Sequence, residues 1–294
     1  MIGVMPLWFV LAITTAFLWG SFGVLAKFSS PKLGVSRVAM LIVLVQGVFY
    51  FLGFYIWRNN MAITFEDAVL AATSCLLGTI GTLCYFEAVL EGQVAIAGTI
   101  TAGYPALAVV GAVAFLSETL TVTQALAVVA IIGGVIALSY EPNPSSEHAM
   151  PRGSLFFALL AFVLWGFWTF TSKIAIDAVG PGNIFGFYVI SNVTAPFVYA
   201  VLRRLRPRQM ADYKPSWTAW ATGATALAVN VCTIFVFSFA LKVGPASLVI
   251  PISAAYPLVT VILAVVLLHE KLHRLHIVAL TFILVGLIVI GFNS

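Results

Sequence analysis

Two stretches of the chain place hydroxyl groups, a tyrosine and a proline in the middle of long apolar runs. These stretches are Thr99 to Pro105 and Ile252 to Pro257. Polar groups are costly at the centre of a bilayer, and a proline there bends the helix and leaves a carbonyl oxygen one turn earlier without its N–H donor. Such a combination can recognise a solute through hydroxyls, aromatic rings and free carbonyl oxygens. The candidate solute contacts are Thr101, Tyr104, Ser253 and Tyr256, and the candidate hinges are Pro105 and Pro257.

Each of these residues also has a purely structural explanation. The hydroxyls of Thr101 and Ser253 could satisfy the carbonyl oxygens that the prolines leave free, whereas a solute ammonium group could bind the same oxygens. A tyrosine in a membrane bundle is also commonly a packing residue, although its hydroxyl needs a partner at this depth. The sequence leaves these alternatives open.

Three tryptophans lie past the middle of their apolar segments rather than at the ends, namely Trp19, Trp165 and Trp168. An indole ring offers a stacking surface or a cation–π partner, and its N–H requires an acceptor. Helix packing beside Gly20 and Gly166 is the alternative explanation. The further polar candidates inside apolar segments are Tyr85 and Asn230.

Glu87 is the one carboxylate that the sequence places inside an apolar segment. A buried carboxyl group can carry a proton and so couple transport to a proton gradient. Alternatively, Glu87 lies at the membrane interface and reaches headgroup water. Glu118 and Glu270 fall at the ends of apolar segments, where we expect them to pair with basic residues across a gate.

Residues His269 to His273 match the zinc-binding pattern HExxH. On a helix this pattern brings two histidines to one face, with the glutamate as a general base, as in some intramembrane proteases. However, the match falls where an apolar segment ends, its counterpart in the first half of the chain has no histidine, and His276 is the single further candidate ligand. We therefore expect no metal site, no cofactor and no catalytic residues, with an intramembrane zinc protease as the alternative of another class.

The elements that must position these residues are membrane-spanning helices. The chain has 294 residues, of which 62% are hydrophobic and 8% are charged, more apolar surface than a soluble core of this size could bury. Segments of about 20 apolar residues, enough to cross a bilayer, occur ten times and predict a polytopic all-α protein. These segments are Leu7–Ala26, Val38–Trp57, Ala68–Leu90, Val94–Leu116, Val122–Tyr140, Leu155–Ile176, Ile184–Leu202, Trp217–Leu241, Ala246–Leu268 and Ile277–Phe292.

The two halves of the chain are copies of each other. Leu18-Trp19-Gly20 recurs as Leu164-Trp165-Gly166, and the Tyr-Pro and Glu-x-Leu patterns recur as well. Because each half has five spans, the second copy enters the membrane from the opposite side, which predicts two inverted-topology repeats around a central cavity. We expect repeats at residues 1–140 and 153–294, joined by a connector at 141–152.

Lysine and arginine are concentrated in alternate connections. One side carries most of them, including Arg203 to Arg208, while the other carries Arg58, Lys173 and Lys242. The positive-inside rule places the basic side in the cytoplasm and both termini outside. The small net charge of +4 is typical of such orientation signals, so we expect no nucleic-acid partner.

The doubled motifs resemble the drug/metabolite transporter superfamily, and specifically its ten-span EamA-type members. The resemblance covers nearly the whole chain and rests on Leu-Trp-Gly, Tyr-Pro, Glu-x-Leu and the later glycines, Gly134 and Gly286. It implies a central cavity lined by spans one, three, four, six, eight and nine. A narrower similarity to the YddG-type exporters of aromatic and other amino acids implies that Trp165 and Tyr104 face this cavity.

These observations together favour a small-solute exporter or facilitator that alternates access between its two halves. Amino acids are the favoured solutes, and a drug or other metabolite efflux carrier is the alternative within transport. The expected location is the bacterial inner membrane. Since the two halves are fused, one chain could supply both gates, so the protein could act as a monomer in the lipid bilayer.

Overall fold

The computed structural model describes residues 5–91, 94–140, 152–204, 214–268 and 274–292, which form helices joined by short connections and contain no β-strand. Glu270, the His269 to His273 match and most of the 141–152 connector lie outside these ranges. The described ranges contain ten helices long and apolar enough to cross a membrane. The predicted all-α, ten-span fold is therefore confirmed.

Spans 1 to 10 are defined by the following helices. The first repeat comprises span 1, Leu7–Leu33; span 2, made of Val35–Leu41, a π-helical turn at Ile42–Gln46 and Gly47–Trp57; span 3, Phe65–Glu91; span 4, made of Val94–Thr101 and Tyr104–Phe115; and span 5, Val122–Ser139. The second repeat comprises span 6, Arg152–Val179; span 7, Ile184–Arg204; span 8, Trp217–Val243; span 9, made of Ala246–Ser253 and Tyr256–Leu268; and span 10, Arg274–Phe292.

Helix ends follow local chemistry. The Thr121 side chain accepts a hydrogen bond from the Gln124 N–H at 3.2 Å, and the Gln124 side chain accepts one from the Thr121 N–H at 3.0 Å. These two bonds form a capping box at the start of span 5. Span 1 is longer than predicted. Its helix continues through Pro31 to Leu33, and the chain turns at Gly34, whose φ of +73° suits a residue without a side chain.

The packing of spans follows the repeat. Spans 1 and 8 pack along their lengths, and spans 6 and 3, which correspond to them, do the same. Spans 5 and 10 pack on each other through matching glycines. A methyl group on Gly134 would lie 2.7 Å from an Ile283 carbon, and one on Gly286 would lie 2.6 Å from an Ile131 carbon. Each glycine thus lets the partner helix approach closely from the opposite repeat.

Candidate functional site

Spans 4 and 9 are each broken into two helices at the predicted Tyr-Pro positions. The first helix of span 4 ends at Thr101 and the second begins at Tyr104, whereas in span 9 the ends are Ser253 and Tyr256. The backbone bonds at the two breaks correspond one for one. The N–H of Gly103 donates to Ile100 O at 3.3 Å, and the N–H of Ala255, which is 152 positions later, donates to Ile252 O at 3.1 Å.

The hydroxyls beside the two breaks differ in their bonding. Thr101 Oγ1 donates to the carbonyl oxygens of Ala97 at 2.9 Å or Gly98 at 3.1 Å, earlier in its own helix. Ser253 Oγ is fully buried and has no hydrogen-bond partner among the residues that the structure describes. The carbonyls that lose their donors to Pro105 and Pro257 belong to Thr101 and Ser253 themselves. The structural explanation in which these hydroxyls satisfy the freed carbonyls is therefore wrong.

The tryptophan of each Leu-Trp-Gly motif lies against the tyrosine in the broken span of the other repeat. Trp165 lies edge-on to Tyr104 with 5.8 Å between ring centroids, and Trp19 lies edge-on to Tyr256 with 6.2 Å. A third ring completes each group, since Tyr85 lies 5.2 Å from Trp165 and Phe237 lies 5.1 Å from Trp19. The sequence prediction thus identified residues that the fold brings together.

The glycines of the same motifs allow this arrangement. A methyl group on Gly20 would lie 2.6 Å from Val259 Cβ and 2.9 Å from the Tyr256 carbonyl oxygen. At the corresponding position of the second repeat, a methyl group on Gly166 would lie 2.5 Å from a Leu107 carbon. Spans 1 and 9, and likewise spans 6 and 4, therefore touch immediately beside the aromatic groups.

Four hydrogen-bond donors of this aromatic cluster have no acceptor in the described part of the chain. They are the indole N–H of Trp165 and the phenol groups of Tyr85, Tyr104 and Tyr256. Unlike the Ser253 hydroxyl, none of these four polar atoms is both completely buried and unpaired. These four donors, which lie beside the two helix breaks, are therefore the candidates for contact with a solute.

Other predicted contacts are already engaged by protein atoms. Trp19 Nε1 donates to Asn230 Oδ1 at 3.2 Å, and Trp168 Nε1 donates to the Tyr188 hydroxyl at 2.9 Å. Trp168 is also 6% exposed. In this conformation these groups hold helices together, and their role as solute contacts stays a prediction.

The two halves of the site are not equivalent. Asn230, which accepts from Trp19, corresponds 152 positions earlier to Gly78, which has no side chain. A methyl group on Gly78 would lie 2.8 Å from Trp168 Nε1. The indole ring of Trp168 therefore occupies the space that a side chain at position 78 would take. Consequently the Trp19 N–H is occupied while the N–H of its counterpart Trp165 is left for another acceptor.

Sequence reasoning missed Tyr188 and the hydroxyl groups around it. Ser74 Oγ lies 3.1 Å from Ser172 Oγ, and Thr79 Oγ1 lies 3.1 Å from Ser191 Oγ, so spans 3, 6 and 7 are joined by buried hydroxyls. The available signal was the recurrence of serine and threonine within apolar segments, which is typical of helix contacts in membranes.

Glu87 is 1% exposed and accepts a hydrogen bond from the Tyr199 hydroxyl of span 7. Nearby, Ser154 Oγ donates to Ala88 O at 2.7 Å. The alternative in which the Glu87 carboxylate reaches headgroup water is therefore wrong for this conformation. Its role in carrying a proton stays a prediction.

Glu118 does not form the expected ion pair in the described part of the chain. Its two carboxylate oxygens accept the backbone N–H groups of Ala246 at 2.8 Å and Ser247 at 2.7 Å, the first residues of span 9. A carboxylate is favourable there because these N–H groups have no partner within their helix and carry the positive end of its dipole. Glu118 thus joins the connection between spans 4 and 5 to the second repeat.

No group of three histidine, cysteine or acidic side chains that could hold a metal ion occurs among the described residues. The cysteines are free, and Cys75 and Cys84 are buried. His276 approaches the Tyr140 carbonyl oxygen at 3.1 Å. The His269 to His273 match itself lies outside the described ranges.

Comparison with known proteins agrees with the ten-helix architecture in two halves. The EamA-like transporter family matches the chain twice, at residues 6–140 and 152–292. An uncharacterized protein of Methanocaldococcus jannaschii is 32% identical over 100 residues, which are 34% of this chain and 73% of that protein. The structural alignment with a protein of known crystal structure covers 99% of this chain and 100% of that protein. The TM-score is 0.76 at 17% sequence identity, which shows a shared fold.

Both matched segments correspond to the two five-span halves that the helices define, and together they cover nearly the whole chain. The protein is a multi-pass membrane protein, and it belongs to the EamA-like transporter family.

Proposed function

We propose that the protein exports small amphipathic solutes across the bacterial inner membrane by alternating access. The favoured solutes are amino acids, aromatic ones among them. The observation that carries this proposal is that four donors, on Trp165, Tyr85, Tyr104 and Tyr256, have no acceptor among the described residues. Polar groups at this depth are costly unless a solute or water forms hydrogen bonds with them. The presence of four such donors beside two broken helices therefore favours a binding role.

The chemistry of the group favours a solute with both an acceptor and an apolar part. An indole N–H and phenol hydroxyls donate to a carboxylate, phenol oxygens accept from an ammonium group, and the ring faces attract an apolar or cationic group. No described lysine or arginine lies at the middle of a span; Lys173, for example, is within the last two turns of span 6, and Arg274 begins span 10. A phosphate-bearing solute normally requires such a cation within its site, so a zwitterion or neutral solute is favoured.

The function is tested by counterflow in proteoliposomes. Purified protein is reconstituted with a high internal concentration of one amino acid, and uptake of a radiolabelled amino acid is measured across a panel. Uptake that depends on the protein and is competed by aromatic amino acids is expected. A panel without uptake contradicts the amino-acid assignment, and a second panel of cationic drugs then tests the efflux alternative.

The alternative of another class is a zinc protease based on His269 to His273. It predicts stoichiometric zinc in purified protein and loss of function in His273→Ala. We expect the reverse, with zinc at background and counterflow retained in that variant. Stoichiometric zinc removed by this substitution would contradict the transport assignment.

A further inference from the structure

The turn between spans 8 and 9 is taken here with the helix ends that flank it, as residues 241–247. It is held by two opposite charges from other elements. On its N-terminal side, Lys173 Nζ of span 6 donates to the Leu241 carbonyl oxygen at 2.8 Å. On its C-terminal side, the Glu118 carboxylate accepts the N–H groups of Ala246 and Ser247. A cation thus meets the end of one helix and an anion meets the start of the next, each of the favourable sign for the helix dipole.

The sequence of the turn explains why both charges are needed. Residue 245 is a proline, so it cannot donate to the carbonyl of Leu241 four positions earlier. The Lys173 ammonium group supplies that donor, and Asp177 holds the lysine in place at 3.1 Å. The first N–H groups of span 9 likewise have no acceptor within their own helix, and Glu118 supplies one.

The turn lies at the end of the bundle that also carries the connections 58–64, 116–121 and 180–183, which we call the N-terminal face. A second pair of these connections is joined across the repeats. Asn183 Nδ2 donates to Asn59 Oδ1 at 2.7 Å, and the Asn59 N–H donates to Asn183 Oδ1 at 3.1 Å. At this face, therefore, the connection 58–64 is bonded to 180–183, and the connection 116–121 is bonded to the start of span 9.

We propose that the bond from Glu118 to the start of span 9 must break for the N-terminal face to open, so that Glu118 sets the balance between its closed and open states. Glu118 follows span 4, whereas Ala246 and Ser247 begin span 9, so movement of span 4 relative to span 9 separates them. This inference rests on the proposed alternating access, but it concerns a conformational equilibrium that is measurable without any solute.

Ser247 provides a reporter of opening. Its side chain is 1% exposed, and its hydroxyl has no hydrogen-bond partner, so Ser247→Cys replaces one small group by another without breaking a bond. The reporter is placed in a chain whose Cys75, Cys84 and Cys232 are changed to alanine. Labelling with a membrane-impermeant maleimide then measures how often the start of span 9 becomes accessible.

Glu118→Gln is the test substitution. An amide can accept one of the two N–H groups but offers its NH₂ to the other, so the closed state loses one bond and the remaining bond no longer has a charged acceptor. We expect labelling of Ser247→Cys to rise about tenfold, which corresponds to the loss of one such bond. Glu66→Gln is the matched control, because Glu66 lies at the same face in the first turn of a helix but is exposed.

The native cysteines separate gate opening from loosening of the whole fold. Cys75 and Cys84 are each 1% exposed or less, so their labelling in Glu118→Gln protein with its natural cysteines reports unfolding. Faster labelling of Ser247→Cys with Cys75 and Cys84 still protected supports the inference. Unchanged labelling of Ser247→Cys, or an equal rise at all these sites, overturns it. Absence of transport in the natural chain would contradict the proposed function without altering this readout.

Discussion

Trp165 lies edge-on to Tyr104, with their ring planes 69° apart, and the indole N–H of Trp165 has no acceptor among the described residues. The corresponding pair, Trp19 and Tyr256, has nearly the same geometry at 67°, but there the indole N–H is bound by Asn230. The fold therefore repeats the aromatic contact while leaving one donor free. Because of this difference between two otherwise equivalent pairs, we propose Trp165 rather than Trp19 as the solute contact.

Trp165→Phe removes the free indole N–H while keeping an aromatic ring. We expect the apparent affinity for a zwitterionic amino acid such as tryptophan to fall about tenfold, the cost of one hydrogen bond to a charged group. Tryptamine, which has no carboxylate, should lose little. Competition in the counterflow assay measures both, and Trp217→Phe, at an 82% exposed residue, is the control. Equal losses for the two solutes would contradict a contact between the N–H and the carboxylate.

Pro105→Ala restores a backbone N–H that can bond to the Thr101 carbonyl. The two helices of span 4 should then tend to join, so we expect the maximal transport rate to fall several-fold while protein yield changes little. Flux per reconstituted molecule is the measurement. Pro196→Ala, in a span whose helix is continuous around its proline, serves as the comparison. A rate that equals the natural one would count against a hinge at Pro105 and, by symmetry, at Pro257.

Glycine substitutions should rank by what each new methyl group meets. In Gly20→Ala the new methyl group would lie 2.9 Å from a backbone oxygen and close to Val259. We therefore expect the free energy of unfolding to fall by about 1–3 kcal/mol. Gly166→Ala meets the flexible side chain of Leu107 and should cost less. Gly133→Ala, with nothing within 4 Å, should be neutral or slightly stabilising. Thermal unfolding in detergent gives the order, and a neutral Gly20→Ala would be inconsistent with the close contact of spans 1 and 9.

Glu87→Gln tests whether the buried carboxyl group carries a coupled proton. The amide keeps the size of the side chain and its bond with Tyr199 but cannot exchange a proton. We expect counterflow to persist, because exchange needs no net proton movement, while accumulation driven by a pH gradient is lost. Tyr199→Phe should weaken accumulation without abolishing it. Normal gradient-driven accumulation in Glu87→Gln would assign Glu87 to helix packing alone.

The sequence was sufficient for the spans and for the site candidates because both depend on short-range patterns. A run of about 20 apolar residues has few stable alternatives to a membrane helix, since its backbone must bond internally in lipid. A Tyr-Pro step in the middle of two such runs predicts two distorted helices, and both are broken there. The capping box at Thr121 was likewise predictable because its two partners are three residues apart.

What the sequence could not determine were the partners of individual polar groups. Glu118 was expected to form an ion pair, but it binds N–H groups 128 and 129 positions later, and Trp19 binds Asn230 from 211 positions away. Such pairings depend on how helices approach in three dimensions. The sequence by itself determined ten spans, a doubled motif and a set of aromatic candidates, whereas the tertiary structure alone decided which of them keep a free donor. The physical reason is that a hydrogen bond requires its two atoms within about 3 Å, a distance that helix packing sets and sequence spacing does not.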